Sequence, residues 1–144
     1  MTGRGGDSAR GFTIIEHPAD VGVEAHGASL PEAFEQAAYG MMSLVVELEH
    51  CGAAETKTIE LGPGDQEQLL VQWLSEVLYL YDAEHFLPAS IAIGALGPGG
   101  LRATLSGERL EPARHTALMD VKAVTYHQVL VDADRMFVRV YLDV

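Results

Sequence analysis

Two aspartates, Asp20 and Asp143, and the last residue, Val144, are placed where a small sequence could hold a cation. Asp20 ends a proline-marked gap, His17-Pro18-Ala19-Asp20, between two strand-like runs, and Asp143 stands beside the carboxyl of Val144. Carboxylates and backbone carbonyls are hard oxygen donors, the type that calcium and magnesium select. Each position also has a plainer reading. An Asp after Pro-Ala caps backbone amides in a turn, and Asp143 can be a simple polar residue at a strand end. The readings part on one condition. Asp20, Asp143 and a third carboxylate brought together would repel one another strongly without a cation. Spacing along the chain leaves that meeting open.

Other side chains carry weaker signals. Lys122, one of two lysines, suits a carboxylate or phosphate partner. In a regular strand it shares a face with Val124, Tyr126 and Leu130, while His127 lies opposite with Thr125 and Val129. Glu108 follows Gly107 and is expected in a loop over residues 107–114. Nothing in the spacing of His17, His115 and His127 supports acid–base catalysis. Phosphate-binding loops, dinucleotide fingerprints, H-E-x-x-H, C-x-x-C and G-x-S-x-G are all absent. Cys51 is the one cysteine, so no internal disulfide forms; its plain reading is a small core or surface residue.

Charge narrows the partner. The net charge is −12, and between Phe12 and Leu101 Lys57 is the only Lys or Arg against fourteen acids. Such a surface repels phosphate backbones, so direct nucleic-acid binding is not expected; a cation or a basic protein suits it better. No apolar run reaches membrane-spanning length, and the start lacks a signal-peptide pattern, so neither membrane insertion nor secretion is expected.

The elements that must position these residues are legible. Residues 1–11 are Gly-rich and polar, and are expected to form a disordered tail before one domain over 12–144. Strands are predicted at 12–16 and 21–26. A helix follows Ser29, with Glu32 three residues on as in a capping box and with Leu30, Phe34, Ala37, Ala38, Met41, Met42 and Val45 as its apolar stripe. A strand over 55–61 precedes a second helix, capped by Asp65 with Gln68, that buries Leu69, Leu70, Trp73, Leu74, Val77, Leu78 and Tyr81 and runs to about Ala83. Strands at 90–95 and 101–105 flank Gly97-Pro98-Gly99-Gly100, and strands at 121–131 and 136–144 form a second hairpin. The predicted class is α+β, a single compact domain with two amphipathic helices packed on a mostly antiparallel sheet.

The segments "HPADVGVEAHGASLPEAFEQAA", "LLVQWLSEVLYLYD", "GERLEP", "VKAVTYHQ" and the final "YLDV" together resemble the archease family, from Phe12 to Val144. One departure is Pro18, where the family's opening motif usually reads His-Thr-Ala-Asp. The resemblance implies a cytoplasmic protein that is not itself an enzyme. It implies a protein cofactor of the RtcB-type RNA ligase in tRNA splicing and RNA repair, promoting guanylylation and multiple turnover and broadening nucleotide use. It implies a divalent-metal site, calcium first with magnesium or manganese as alternatives, on Asp20, Asp143 and Val144. Lys122, Glu108 and His17 map onto further positions that take part in partner activation. Oligomeric state is left open. Two competing readings stay in view: a chaperone or adaptor of RNA-processing or modification enzymes, and a stand-alone metal-dependent enzyme acting on a small phosphorylated substrate.

Overall fold

The computed structural model describes residues 10–16, 20–48 and 51–144. In chain order the elements are β1 (Gly11–Glu16), β2 (Asp20–His26), α1 (Leu30–Val45), β3 (Glu55–Leu61), α2 (Gln66–Glu84), β4 (Phe86–Gly97), β5 (Gly100–Arg109), β6 (Ala123–Asp132) and β7 (Phe137–Asp143). The class is the predicted one, α+β with every strand pair antiparallel. The strands divide into two sheets, however: β1-β2-β7-β6 and β3-β5-β4. Local alternation marks each strand, but partners far apart in the chain are chosen by packing, which no short window encodes.

Both helices start where their caps stand. The Ser29 hydroxyl accepts the Glu32 amide at 3.2 Å. The Glu32 carboxylate reaches back to the amide of Ala28, at 2.7 Å, one residue beyond the usual box. Asp65 and Gln68 close a full reciprocal box at the start of α2. α2 ends at His85, which adopts a left-handed conformation (φ 56°) and donates its amide to Tyr81 C=O at 2.9 Å.

The apolar stripes of both helices and the inner faces of both sheets form one continuous core. Phe34, Met41, Met42, Leu69, Leu70, Trp73 and Leu74 are fully buried in it, and full burial of such a side chain stabilises by roughly 1.5–3 kcal/mol each. Trp73 ties the helices together, its indole N–H donating to Phe34 C=O at 3.0 Å.

Three boundaries differ from expectation. Residues 1–9 of the expected tail lie outside the described residues, but Gly11 already pairs with His26 in β1, and Arg10 bridges Glu32 at 3.2 Å. β4 begins directly after α2, at Phe86. The loop expected over 107–114 starts later, because β5 continues through Arg109 with Glu108 opposite Leu87. Gly107 permits this: a Cβ there would collide with the Leu87 carbonyl. β6 also breaks the predicted alternation. Between Thr125, opposite Tyr141, and Leu130, opposite Arg139, it spends Tyr126, His127, Gln128 and Val129 against the single Val140. Gln128 carries φ 51° in this bulge. β6 is a sheet edge, and a bulge of this size blunts an edge against further pairing. No helix among the described residues is long and apolar enough to cross a membrane.

Trp73→Phe removes a link between the helices that is both a hydrogen bond and core packing. It should lower unfolding free energy by about 2 kcal/mol, measured by denaturant titration at constant m-value; a loss under about 0.5 kcal/mol would show that the indole contributes packing volume alone.

Candidate metal centre

β2 and β7 are the two central strands of their sheet. Their register sets Val21 opposite Leu142, Val23 opposite Val140 and Ala25 opposite Val138. All six are buried, which fixes the inward face and turns the alternate residues outward. The first pair of that outward set is Asp20 opposite Asp143. Directly opposed residues on one face hold their Cβ atoms about 4.5–5.5 Å apart, and like charges so placed are destabilising. Asp20 is half-buried and Asp143 exposed. The Asp20 Oδ1 is fully buried, with no hydrogen-bond partner among the described residues. A buried carboxylate oxygen left without a donor is costly. A buried, orphaned carboxylate oxygen on a residue whose register partner is a second aspartate has the donor chemistry of a hard-cation site.

The surroundings are built to hold this pair still. Two residues along, Gly22 faces Tyr141. A Cβ on Gly22 would meet the Tyr141 ring at 2.8 Å, so only glycine lets that ring lie across β2. The Tyr141 ring packs in turn against His127 of the bulge, centroids 5.9 Å apart. The amide of Lys122 donates to Asp143 C=O at 2.8 Å, and Ala123 is the register partner of Asp143. Val144 is half-buried against the core.

Of the residues singled out from sequence, the fold therefore brings together Asp20, Asp143, Val144 and the backbone of Lys122. His17 and Pro18 lie outside the described residues. Glu108 is placed apart, in the other sheet and in a different role. Its Oε2 accepts the Gly52 amide at 2.8 Å and the His115 Nε2 at 2.9 Å, and its Oε1 accepts Arg114 at 2.6 Å. The Gly52 amide, Arg114 and His115 together hold its carboxyl at about 2, down from an ordinary 4.5.

Sequence reading missed this cluster, which joins positions from 51 to 115 that share no short motif. Cys51 Sγ, a Glu108 oxygen and a His115 nitrogen lie within 4.8 Å of one another, close enough to share one ion. Their protons are committed elsewhere. The Glu111 amide, which can only donate, points at His115 Nδ1 at 2.8 Å. The ring proton is therefore on Nε2, where it is given to Glu108. The Cys51 thiol faces the Leu87 carbonyl at 3.4 Å, and burial, then the nearby Glu108 charge, pushes its pKa up. Metal ligation needs a thiolate and a bare ring nitrogen. As arranged, the cluster is a clamp fastening residue 52 and the 111–115 turn to β5.

Three comparisons bear on identity. A model of the archease protein family matches residues 12–144. The protein archease of Thermococcus kodakarensis is 36% identical over 126 residues, covering 85% of this chain and 89% of that protein. The protein archease of Methanosarcina acetivorans is 31% identical over 139 residues, covering 92% and 95%. Among solved structures, the solution structure of Methanobacterium thermoautotrophicum protein 1598 superposes with a TM-score of 0.76 at 32% identity, over 93% of this chain and 99% of that one.

The depressed Glu108 carboxyl has a definite linkage. Stability from it is complete above pH 4.5 and is lost as pH falls toward 2, because the unfolded chain takes up the proton first. The stability gap between wild type and Glu108→Gln should therefore narrow between about pH 6 and about pH 3, read by denaturant titration at each pH. A gap constant with pH would mean that the carboxylate charge plays no part in the clamp.

Proposed function

This chain belongs to the archease family, and from that premise we propose that it is an activator of an RtcB-type RNA ligase rather than a ligase itself, working through the acid pair Asp20 and Asp143. The observation that carries the reading is the buried, unpartnered oxygen of Asp20, the register partner of Asp143 in the two central strands. Asp20, Asp143 and Val144 would hold a divalent cation, with calcium preferred for its tolerance of irregular oxygen sets and magnesium or manganese as alternatives. The cation supplies positive charge that offsets the carboxylates and offers an electrophilic point to an incoming oxygen ligand.

The rest of the mechanism falls to the protein. Asp20 and Asp143, held by the β2–β7 ladder, reach into the ligase's nucleotide centre as a preformed oxygen face and orient the nucleotide or the ligase's own metals during guanylylation. Lys122 sits beside Asp143 through its backbone, and its exposed ammonium contacts phosphate. The −12 charge keeps the protein from competing for RNA and draws it toward a basic cleft. Glu108 supports this only indirectly, by fastening the fold.

Multiple-turnover RNA ligation by the cognate ligase, with GTP and manganese, tests the reading. Wild type should stimulate product formation at least tenfold in rate, on the order of 1.4 kcal/mol of barrier. Folded Asp20→Asn and Asp143→Asn should lose most of that stimulation. Full stimulation by both variants would remove the acid pair from the mechanism, and none by wild type would remove the activator role.

A further inference from the structure

Resting on the activator reading, and deepening it, we propose that the face formed by α2 and the 118–126 segment is the docking surface that seats this protein on its ligase, and that it takes an arginine- or lysine-bearing segment of that partner. The first ground is where exposed apolar side chains fall. Among the described residues, the exposed large hydrophobics are Tyr79 (56% exposed), Leu118 (53%), Met119 (39%), Tyr126 (55%) and Met136 (36%). Tyr79 lies on α2, and Leu118, Met119 and Tyr126 flank the 120–124 stretch whose Asp120 neighbours Asp82 and whose Lys122, Ala123 and Val124 share a groove with Tyr79. An otherwise charged surface that gathers its exposed apolar groups in this way marks an interaction face.

The second ground is shape and charge. A groove of about 260 Å³ lies between α2 and the 122–124 segment, lined among others by Leu78, Tyr79, Val124 and the charged pair Asp82 and Lys122. Asp82 lies close enough to Asp120 for the two carboxylates to repel: burial first, then Asp120, pushes the Asp82 pKa up. Neither forms an ion pair among the described residues. A guanidinium or ammonium brought to Asp82 and Asp120 would relieve that repulsion, and the exposed Tyr79 lines the same groove as Asp82.

The third ground is continuity with the acid pair. Lys122 belongs to the groove and is bonded through its amide to the carbonyl of Asp143. A partner seated on α2–β6 is therefore at the edge of the Asp20–Asp143 site. The Leu118 end is tied to the last turn of α1, its amide donating to Val45 C=O at 2.8 Å. A second copy of this chain is a poor occupant, since it would bring the same unpaired acids and the same net charge of −12 to the contact.

The test separates docking from activation. Ligase stimulation is measured against increasing concentrations of wild type, Tyr79→Ala, Asp82→Lys and Met136→Gln, each checked for an unchanged melting profile. Sedimentation of each protein alone is run alongside. Tyr79→Ala and Asp82→Lys should raise the half-saturating concentration by about tenfold and leave the plateau where it was. Met136→Gln, outside the face, should behave as wild type. Asp20→Asn should do the opposite, lowering the plateau. Wild-type half-saturation in both groove variants overturns the docking surface and leaves the activator reading standing. A lowered plateau at unchanged half-saturation also overturns it, by moving these residues into the chemistry. A wild-type dimer abolished by Tyr79→Ala gives the face to self-association instead. A wild type that stimulates at no concentration removes the activator reading and this surface with it.

Discussion

A slip of one residue between β2 and β7 would turn every buried valine of β2 to solvent and carry Asp20 away from Asp143. The core forbids that slip, because Val21, Val23 and Ala25 pack inward against Leu142, Val140 and Val138. The same burial that specifies the fold therefore forces two carboxylates into opposition at the end of the ladder. A pair of this kind is destabilising by itself, and one oxygen of it is buried without a donor. The pair closes a ladder whose next pairs, Val21 with Leu142 and Val23 with Val140, are held together by burial, so the two strands cannot drift apart without exposing core. On the proposed reading, a cation would convert the liability into a binding site, and the paired core residues beside it would keep its geometry dependable.

The second acid of interest, Glu108, illustrates the opposite arrangement. Its carboxylate is nearly buried, yet both oxygens are met by donors from Gly52, Arg114 and His115. Its charge is satisfied, so it stabilises the joint between the two halves of the chain and has little left to offer a ligand. The contrast between Asp20 and Glu108 separates a carboxylate with an unpartnered buried oxygen from one whose interactions are complete. A candidate list drawn from residue type alone treats them alike.

Much of the fold was legible because its local signals agree. Ser29 and Asp65 announce the helices, the stripes through Phe34 and Trp73 give their buried faces, and strict alternation from Val138 to Leu142 correctly turns Asp143 outward. What stayed hidden depends on partners far along the chain. The split into two sheets, the extension of β5 through Gly107, and the four-against-one bulge after Thr125 are choices of pairing, which alternation cannot register. For the site, the types of Asp20 and Asp143 were readable, but their meeting came from family resemblance until the β2–β7 register supplied it. The exposed face proposed for docking was invisible for another reason: Tyr79 is one aromatic residue in an apolar-rich helix until packing shows that it is exposed.

The most direct measurement of the central claim is calorimetric titration of calcium into metal-stripped wild type and Asp20→Asn. A preformed site on Asp20, Asp143 and Val144 predicts one bound ion per chain in wild type and no measurable heat in the variant. Stripped Asp20→Asn should also be no less stable than stripped wild type, since the substitution removes a like-charge contact. No binding of calcium, magnesium or manganese by wild type would contradict the account, and so would equal heats in the two proteins.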